Sequence, residues 1–171
     1  SADNERIKRR YFSFLKEAKR QSEATVDAVA KALNRFEVQS KYRDFKKFHY
    51  EQAVAFKNHL AEQKNQQTGK NLSKATLHST LANLKNFFQW LSGQSGYKSR
   101  FHYCDAEYFN ISDKDMRVAT TRREQKSPTL EQVKHVISTM PVGTETERRN
   151  RALIAFTLLT GARDSAIASM K

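Results

Sequence analysis

Apolar residues recur at helical spacing through residues 4–91, and they divide that stretch into four segments. Residues 4–21 place Ile7, Tyr11, Phe14, Leu15 and Ala18 on one stripe and leave Arg6, Arg9, Lys16 and Lys19 to solvent, the pattern of an amphipathic helix. Residues 22–39 repeat it with Val26, Val29, Leu33 and Phe36, and Ser22 stands where an N-cap is wanted. In residues 44–63 the stripe is Phe45, Phe48, Ala53, Phe56 and Leu60, with a bend or cap expected near His49. The polar run at 64–73, which holds Gly69, predicts a loop that ends on Ser73 as the next N-cap. A fourth helix follows from residue 74, with Leu77, Leu81, Leu84, Phe88 and Leu91 on one face, Phe87 and Trp90 widening it, and Gly93 and Gly96 among serines and glutamine closing it.

Periodicity fades between residues 97 and 126, where aromatic and charged residues mix without a sustained repeat. This segment is expected to be an interdomain linker with a short helix at 112–120. A second domain is expected from residue 127, with Ser127 as N-cap, Pro128 at the first helical position and Glu131 in the first turn. Leu130, Val133, Val136 and Ile137 form its buried stripe. The run at 152–159 is apolar on every side, as a helix central to a core would be, and Gly161 is placed to stop it. The predicted organisation is all-α: a helical domain at 1–96, a linker at 97–126 and the start of another domain at 127–171.

Composition supports helices and adds a field. Gly and Pro are scarce, at 5 and 2 of 171 residues, and 11 phenylalanines are available for a core. The net charge is +13, and residues 1–104 hold most of it, with 20 Lys/Arg against 9 Asp/Glu for a net +11. A basic helical domain most often meets a polyanion, nucleic acid ahead of a membrane surface, although solvated helix faces account for the same charge. The single cysteine, Cys104, excludes an intrachain disulfide and cysteine-rich metal sites, and the histidines lack metal-ligand spacing. No metal or other cofactor is expected. No apolar run is long enough to span a bilayer, so the expectation is a soluble cytoplasmic protein.

The fourth helix, with Thr76, its leucines and the aromatic cluster Phe87, Phe88 and Trp90, together with "SPTLEQVKHVI" from Ser127 and "RNRALIAFTLLTGARDSAIASMK" from Arg149, resembles the tyrosine recombinase (phage integrase) family. The resemblance runs from about Arg6 to the end. It implies a SAM-like core-binding bundle of four to five helices, a linker, and the first helices of a mixed α/β catalytic domain. It also implies that Arg163, after the Thr160-Gly161 stop, is the family's first catalytic arginine. Phosphodiester transfer builds negative charge on non-bridging oxygens, and a fixed guanidinium can meet two of them at once. The family commonly carries an acidic residue three positions later, where this chain has Ala166, and Asp164 is a poor substitute because neighbouring residues of a helix point apart.

The same resemblance implies a nucleophilic tyrosine, an H-x-x-R box, a lysine and a second His or Trp beyond Arg163. No tyrosine follows Tyr108 and no histidine has Arg at the third position after it, so the chain is expected to be an N-terminal fragment without activity of its own. Double-stranded DNA is the implied partner. A fragment monomeric without DNA and a full-length parent assembling as a tetramer on paired sites are expected.

A helix offers a groove only its non-core face. On the fourth helix this selects Lys74, Thr76, Ser79, Asn83 and Asn86, on the second Thr25, Lys31 and Arg35, and in the loop between the second and third Lys41 and Arg43. The family sets its second and fourth helices against the major groove, which favours the first two sets. Arg122 and Arg123 are placed to follow a phosphate backbone as the family's linker does. Two other readings fit the composition: a non-catalytic helical DNA-binding architectural protein, or a basic helical adaptor for protein or RNA.

Overall fold

The computed structural model describes residues 1–65, 68–121 and 127–170. The chain divides into two compact units, Ser1–Arg122 and Arg123–Lys171. Secondary structure is helical, and the described residues contain no strand, only an isolated bridge between Lys64 and Asn71. No described helix is long and apolar enough to cross a membrane.

The first unit contains α1 (Ala2–Ser13), α2 (Glu23–Gln39), α3 (Tyr50–Glu62), α4 (Lys74–Ser92) and α5 (Asp113–Thr120). Local chemistry sets their starts. Ser22 accepts from the Thr25 N–H and Ser73 from the Thr76 N–H, each satisfying a donor that the first turn leaves unpaired. The expected break at His49 is present: a short 3-10 turn at Phe45–Lys47 precedes it, and α3 begins immediately after it. At the end of α1 the chain widens into a π-turn, Phe14–Ala18. That widening rotates the predicted stripe, so Ile7, Tyr11 and Leu15 are buried while Phe14 is only half-buried and Ala18 is exposed.

The core is aromatic: eight of the 11 phenylalanines are buried in it. Phe88 is its hub, stacked on Phe48 at 3.9 Å between ring centroids and touching the rings of Phe36, Phe45, Phe87, Phe101 and Phe109 at 5.2 to 6.0 Å. Two of those rings come from the segment expected to be a linker. Tyr97, Phe101, Ala106 and Phe109 are all buried, the last two within a 3-10 stretch, Tyr103–Phe109, that packs against α3 and α4. The linker expectation is therefore corrected for residues 97–121, which complete the first unit. Their buried side chains are spaced by four, five and three residues, because turns and 3-10 geometry replace the regular helix.

One polar network lies inside this unit. Glu37 is buried and accepts from Lys8 Nζ at 2.6 Å and from Asn4 Nδ2 at 3.2 Å, while Asn4 also donates to the Arg43 carbonyl at 3.0 Å and accepts from the Phe45 N–H at 3.1 Å. A buried carboxylate persists only when paired and hydrogen-bonded in this way. Burial alone would lower the Lys8 pKa, but its hydrogen bonds to Glu37 and Glu5 outweigh that and raise it. The network fastens α1 to the bend after α2, where Lys41 and Tyr42 both have φ of 54°. Left-handed backbone costs a non-glycine residue about 1–2 kcal/mol.

The second unit contains α6 (Leu130–Thr139), α7 (Glu145–Thr160) and the short α8 (Asp164–Ala168). Its α6 starts two residues later than expected. Thr129, not Ser127, is the N-cap, because Thr129 and Gln132 exchange reciprocal bonds of 3.2 and 2.9 Å, a box that a cap at Ser127, with Leu130 at its third position, cannot form. Thr144 and Glu147 start α7 by the same device. The apolar run of α7 is not buried: Leu153, Ile154, Phe156, Leu158 and Leu159 are all exposed. A helix apolar on every side needs neighbours on every side, and among the described helices of this unit it is α6 that packs most along it.

Candidate nucleic-acid interface

Helices α2 and α4 lie against each other, and an open groove of about 370 Å3 runs between them. Ala28, Ala32 and Ala75 leave the space, Lys31 and Arg35 rise from α2, and Thr76, Ser79 and Asn83 face them from α4. Five of the residues selected from the sequence thus share one surface. The groove carries cations, hydroxyls and an amide, and no carboxylate lines it among the described residues. Arg35 Nη1 reaches the hydroxyl of the buried Thr80 across the groove at 3.5 Å, a long contact that orients the guanidinium without neutralising it. Lys31 has no acidic partner among the described residues. Guanidinium and ammonium groups beside short hydroxyls and an amide suit a nucleic-acid groove, the former for phosphates and the latter for base edges.

The remaining candidates fall elsewhere. Thr25 belongs to the α2 cap, its hydroxyl 3.0 Å from that of Ser22. Lys74 is paired with Asp115 of α5 at 2.9 Å, and this hydrogen bond holds the Asp115 carboxyl below its ordinary range. Asn86 lines a different cavity, on the flank of α4 that faces Tyr103, Glu107 and Met116. Lys41 and Arg43 border a third depression, of about 290 Å3, with Gln39, Ser40, Gln52 and Ala55. Arg122 and Arg123 lie outside the described residues.

In the second unit, Gly161 ends α7 with φ of 63°, its N–H bonded to the Thr157 carbonyl, as the Thr-Gly pair led one to expect. Arg163 then stands at the N-cap position of α8 in extended backbone, exposed, its carbonyl accepting from the Ala166 and Ile167 N–H groups. Its guanidinium has no ion pair among the described residues, and Asp164 is the first residue of α8. The described residues hold no group of three or more His, Cys, Asp or Glu able to bind a metal.

Sequence reasoning missed the alanines that open the groove, which look like ordinary helix formers, and the Asn4–Glu37 network, which joins residues 33 positions apart. Glu37 carried a faint signal, since it sits four residues after Leu33 on the apolar side of α2.

Comparison with protein families gives a match over residues 9–95 to the phage integrase N-terminal SAM-like domain. No curated protein and no solved structure matches the chain.

Proposed function

Since the chain belongs to the phage integrase family of tyrosine recombinases, we propose that its first unit is the part of a site-specific recombinase that grips duplex DNA, with the α2–α4 groove as the face that meets it. The observation that carries this reading is the convergence of Lys31, Arg35, Thr76, Ser79 and Asn83 on one groove of the family's own domain, with no carboxylate among its described lining residues. Lys31 and Arg35 take phosphates, and Ser79 and Asn83 reach base edges.

In the same reading the full-length parent works in the cytoplasm as a tetramer on paired DNA sites. Its tyrosine attacks the scissile phosphate, forming a 3'-phosphotyrosyl bond as the 5'-hydroxyl leaves, so the phosphodiester's energy is held in the covalent bond and neither ATP nor metal is consumed. Arg163 contributes a bidentate cation to the phosphoryl oxygens. All six tyrosines of this chain lie in the first unit, away from Arg163 in sequence, and none is assigned as the nucleophile.

Fluorescence anisotropy of labelled duplex across a salt series tests the reading. Affinity should fall steeply with salt, with a log–log slope of about −0.9 per phosphate neutralised. Arg35→Ala should flatten that slope by about one unit, whereas Asn83→Ala should change the preference among sequences and leave the slope alone. Binding that is absent at low salt, or indifferent to salt, would favour a protein-binding adaptor.

A further inference from the structure

The bend after α2 holds two exposed side chains on strained backbone and a third, Arg43, directly after them. Helix α2 closes with the Tyr42 N–H bonded to the Glu37 carbonyl at 2.7 Å and the Lys41 N–H to the Val38 carbonyl at 3.1 Å, the paired closure that ordinarily places glycine at the left-handed residue. Here that residue is Lys41, and Tyr42 repeats the left-handed conformation. Glycine would occupy either position without strain. What the fold holds there instead is a lysine, a tyrosine that is 56% exposed, and then Arg43.

No described residue of the unit pairs with the charged ends of these side chains. Lys41 and Arg43 have no acidic partner among the described residues, and the nearby Asp44 carboxylate is occupied by the Lys46 N–H at 2.8 Å. Among the described residues no ring packs on that of Tyr42, unlike the exposed Tyr50, whose ring tilts against that of Tyr108 at 4.6 Å between centroids. The backbone beneath them is fixed from inside, because buried Asn4 bridges the Glu37 carboxylate, the Arg43 carbonyl and the Phe45 N–H. The closing bonds also occupy the Phe36, Glu37 and Val38 carbonyls, which leaves fewer bare oxygens at this end of the helix to oppose an anion.

The bend continues the α2 wall of the groove. Gln39, which borders the depression beside Lys41 and Arg43, lies three turns past Ala28 and on the same stripe, since residues about 3.6 apart superpose along a helix. We propose that Lys41, Tyr42 and Arg43 form a sequence-independent clamp on the DNA sugar-phosphate backbone, separate from the α2–α4 groove, with Asn4 as its positioning residue. The clamp rests on the DNA-binding reading above and adds a second footing to it. Lys41 supplies a point charge and Arg43 a planar fork for phosphate oxygens, and the Tyr42 ring packs on the sugar between them.

Lys41→Gly separates the two roles of the position, because it removes the cation while relieving the backbone. In the whole chain it should hold or raise the melting temperature, yet flatten the salt slope for a labelled duplex by about 0.9. Arg43→Ala should flatten it similarly, and Tyr42→Ala should weaken binding with the slope unchanged. These losses should be equal on two duplexes of unrelated sequence, whereas Asn83→Ala should distinguish them. Asn4→Ala should reproduce the flattening and add nothing to it in a Lys41→Gly/Arg43→Ala background. Should Asn4→Ala not fold, Asn4→Ser, whose shorter side chain cannot span Arg43 and Phe45, gives the same comparison. Wild-type slope and affinity in both Lys41→Gly and Arg43→Ala would overturn the clamp while leaving DNA binding by the groove intact. A loss confined to one duplex would make the bend a base reader and overturn it too. If the unaltered chain binds neither duplex, the DNA-binding reading fails and the clamp with it.

Discussion

The two units of this chain use apolar residues in opposite ways. In the first, apolar side chains occupy one stripe per helix and the stripes close on a cluster of rings around Phe88. In the second, α7 is apolar nearly all round, yet no described residue of that unit is buried. The difference shows that hydrophobic content does not by itself specify a core. A stripe states which side faces inward and can be satisfied by a few neighbours, whereas an all-round apolar helix states only that it must be surrounded.

Removing the closure of the first unit should produce the largest effect. A chain ending at residue 96 lacks Tyr97, Phe101, Ala106 and Phe109, and each buried Phe truncated to Ala ordinarily costs about 3–5 kcal/mol. For the two phenylalanines together that is about 6–10 kcal/mol, comparable to the roughly 5–15 kcal/mol by which whole domains are stable, so residues 1–96 should show no cooperative urea transition. Residues 1–121 should show one. A cooperative transition in the shorter chain would mean that the rings at 101 and 109 decorate the core without closing it.

Within the intact unit, Phe88→Ala should cost about 3–5 kcal/mol, read by urea denaturation followed by circular dichroism. A smaller loss would show that its neighbouring rings collapse into the space. Alkaline pH probes the same core by another route. Burial pushes the Tyr11 phenol up to about 12, from an ordinary value near 10, and the Lys8 ammonium is also raised by its partners. Between pH 10 and 12 the unfolded chain loses the phenol proton while the folded one keeps it, and the raised Lys8 ammonium acts in the same direction. Stability is therefore fully present below pH 10 and falls above it, by about 1.4 kcal/mol per pH unit for Tyr11. Tyr11→Phe should reduce that fall. In the second unit, Leu159→Ser should change stability by less than about 0.5 kcal/mol, because Leu159 is 84% exposed, while lowering the binding of a hydrophobic dye.

Much of the first unit was legible because its signals are local. The Ser22 and Ser73 caps, the break at His49 and the stripe from Leu77 to Leu91 all depend on residues within a turn or two, and all appear as read. Residues 97–111 were illegible for a matching reason: their buried positions follow turns whose spacing has no fixed period, and their partners lie on α3 and α4. The family match also ends at residue 95, so neither periodicity nor family likeness extends to the segment that completes the core.

The candidate site divides along the same line. Lys31, Arg35, Thr76, Ser79 and Asn83 were found by subtracting the core stripe from each helix, an operation the sequence permits. Lys74 passed the same subtraction, but its partner Asp115 lies 41 residues away and could not be foreseen. The left-handed pair at Lys41 and Tyr42 had no signal at all, since neither residue type announces that conformation.

The late position of Phe101 and Phe109 has a consequence for synthesis. Ribosomes release a chain from its N-terminus at about 5–20 residues per second. For about a second after Gly96 emerges, α1 to α4 are present in full while the rings of Phe36, Phe48 and Phe88 still lack the two partners that cover them. The nascent chain therefore carries an open aromatic face, attractive to a chaperone or to another nascent copy, until Phe109 arrives to close it.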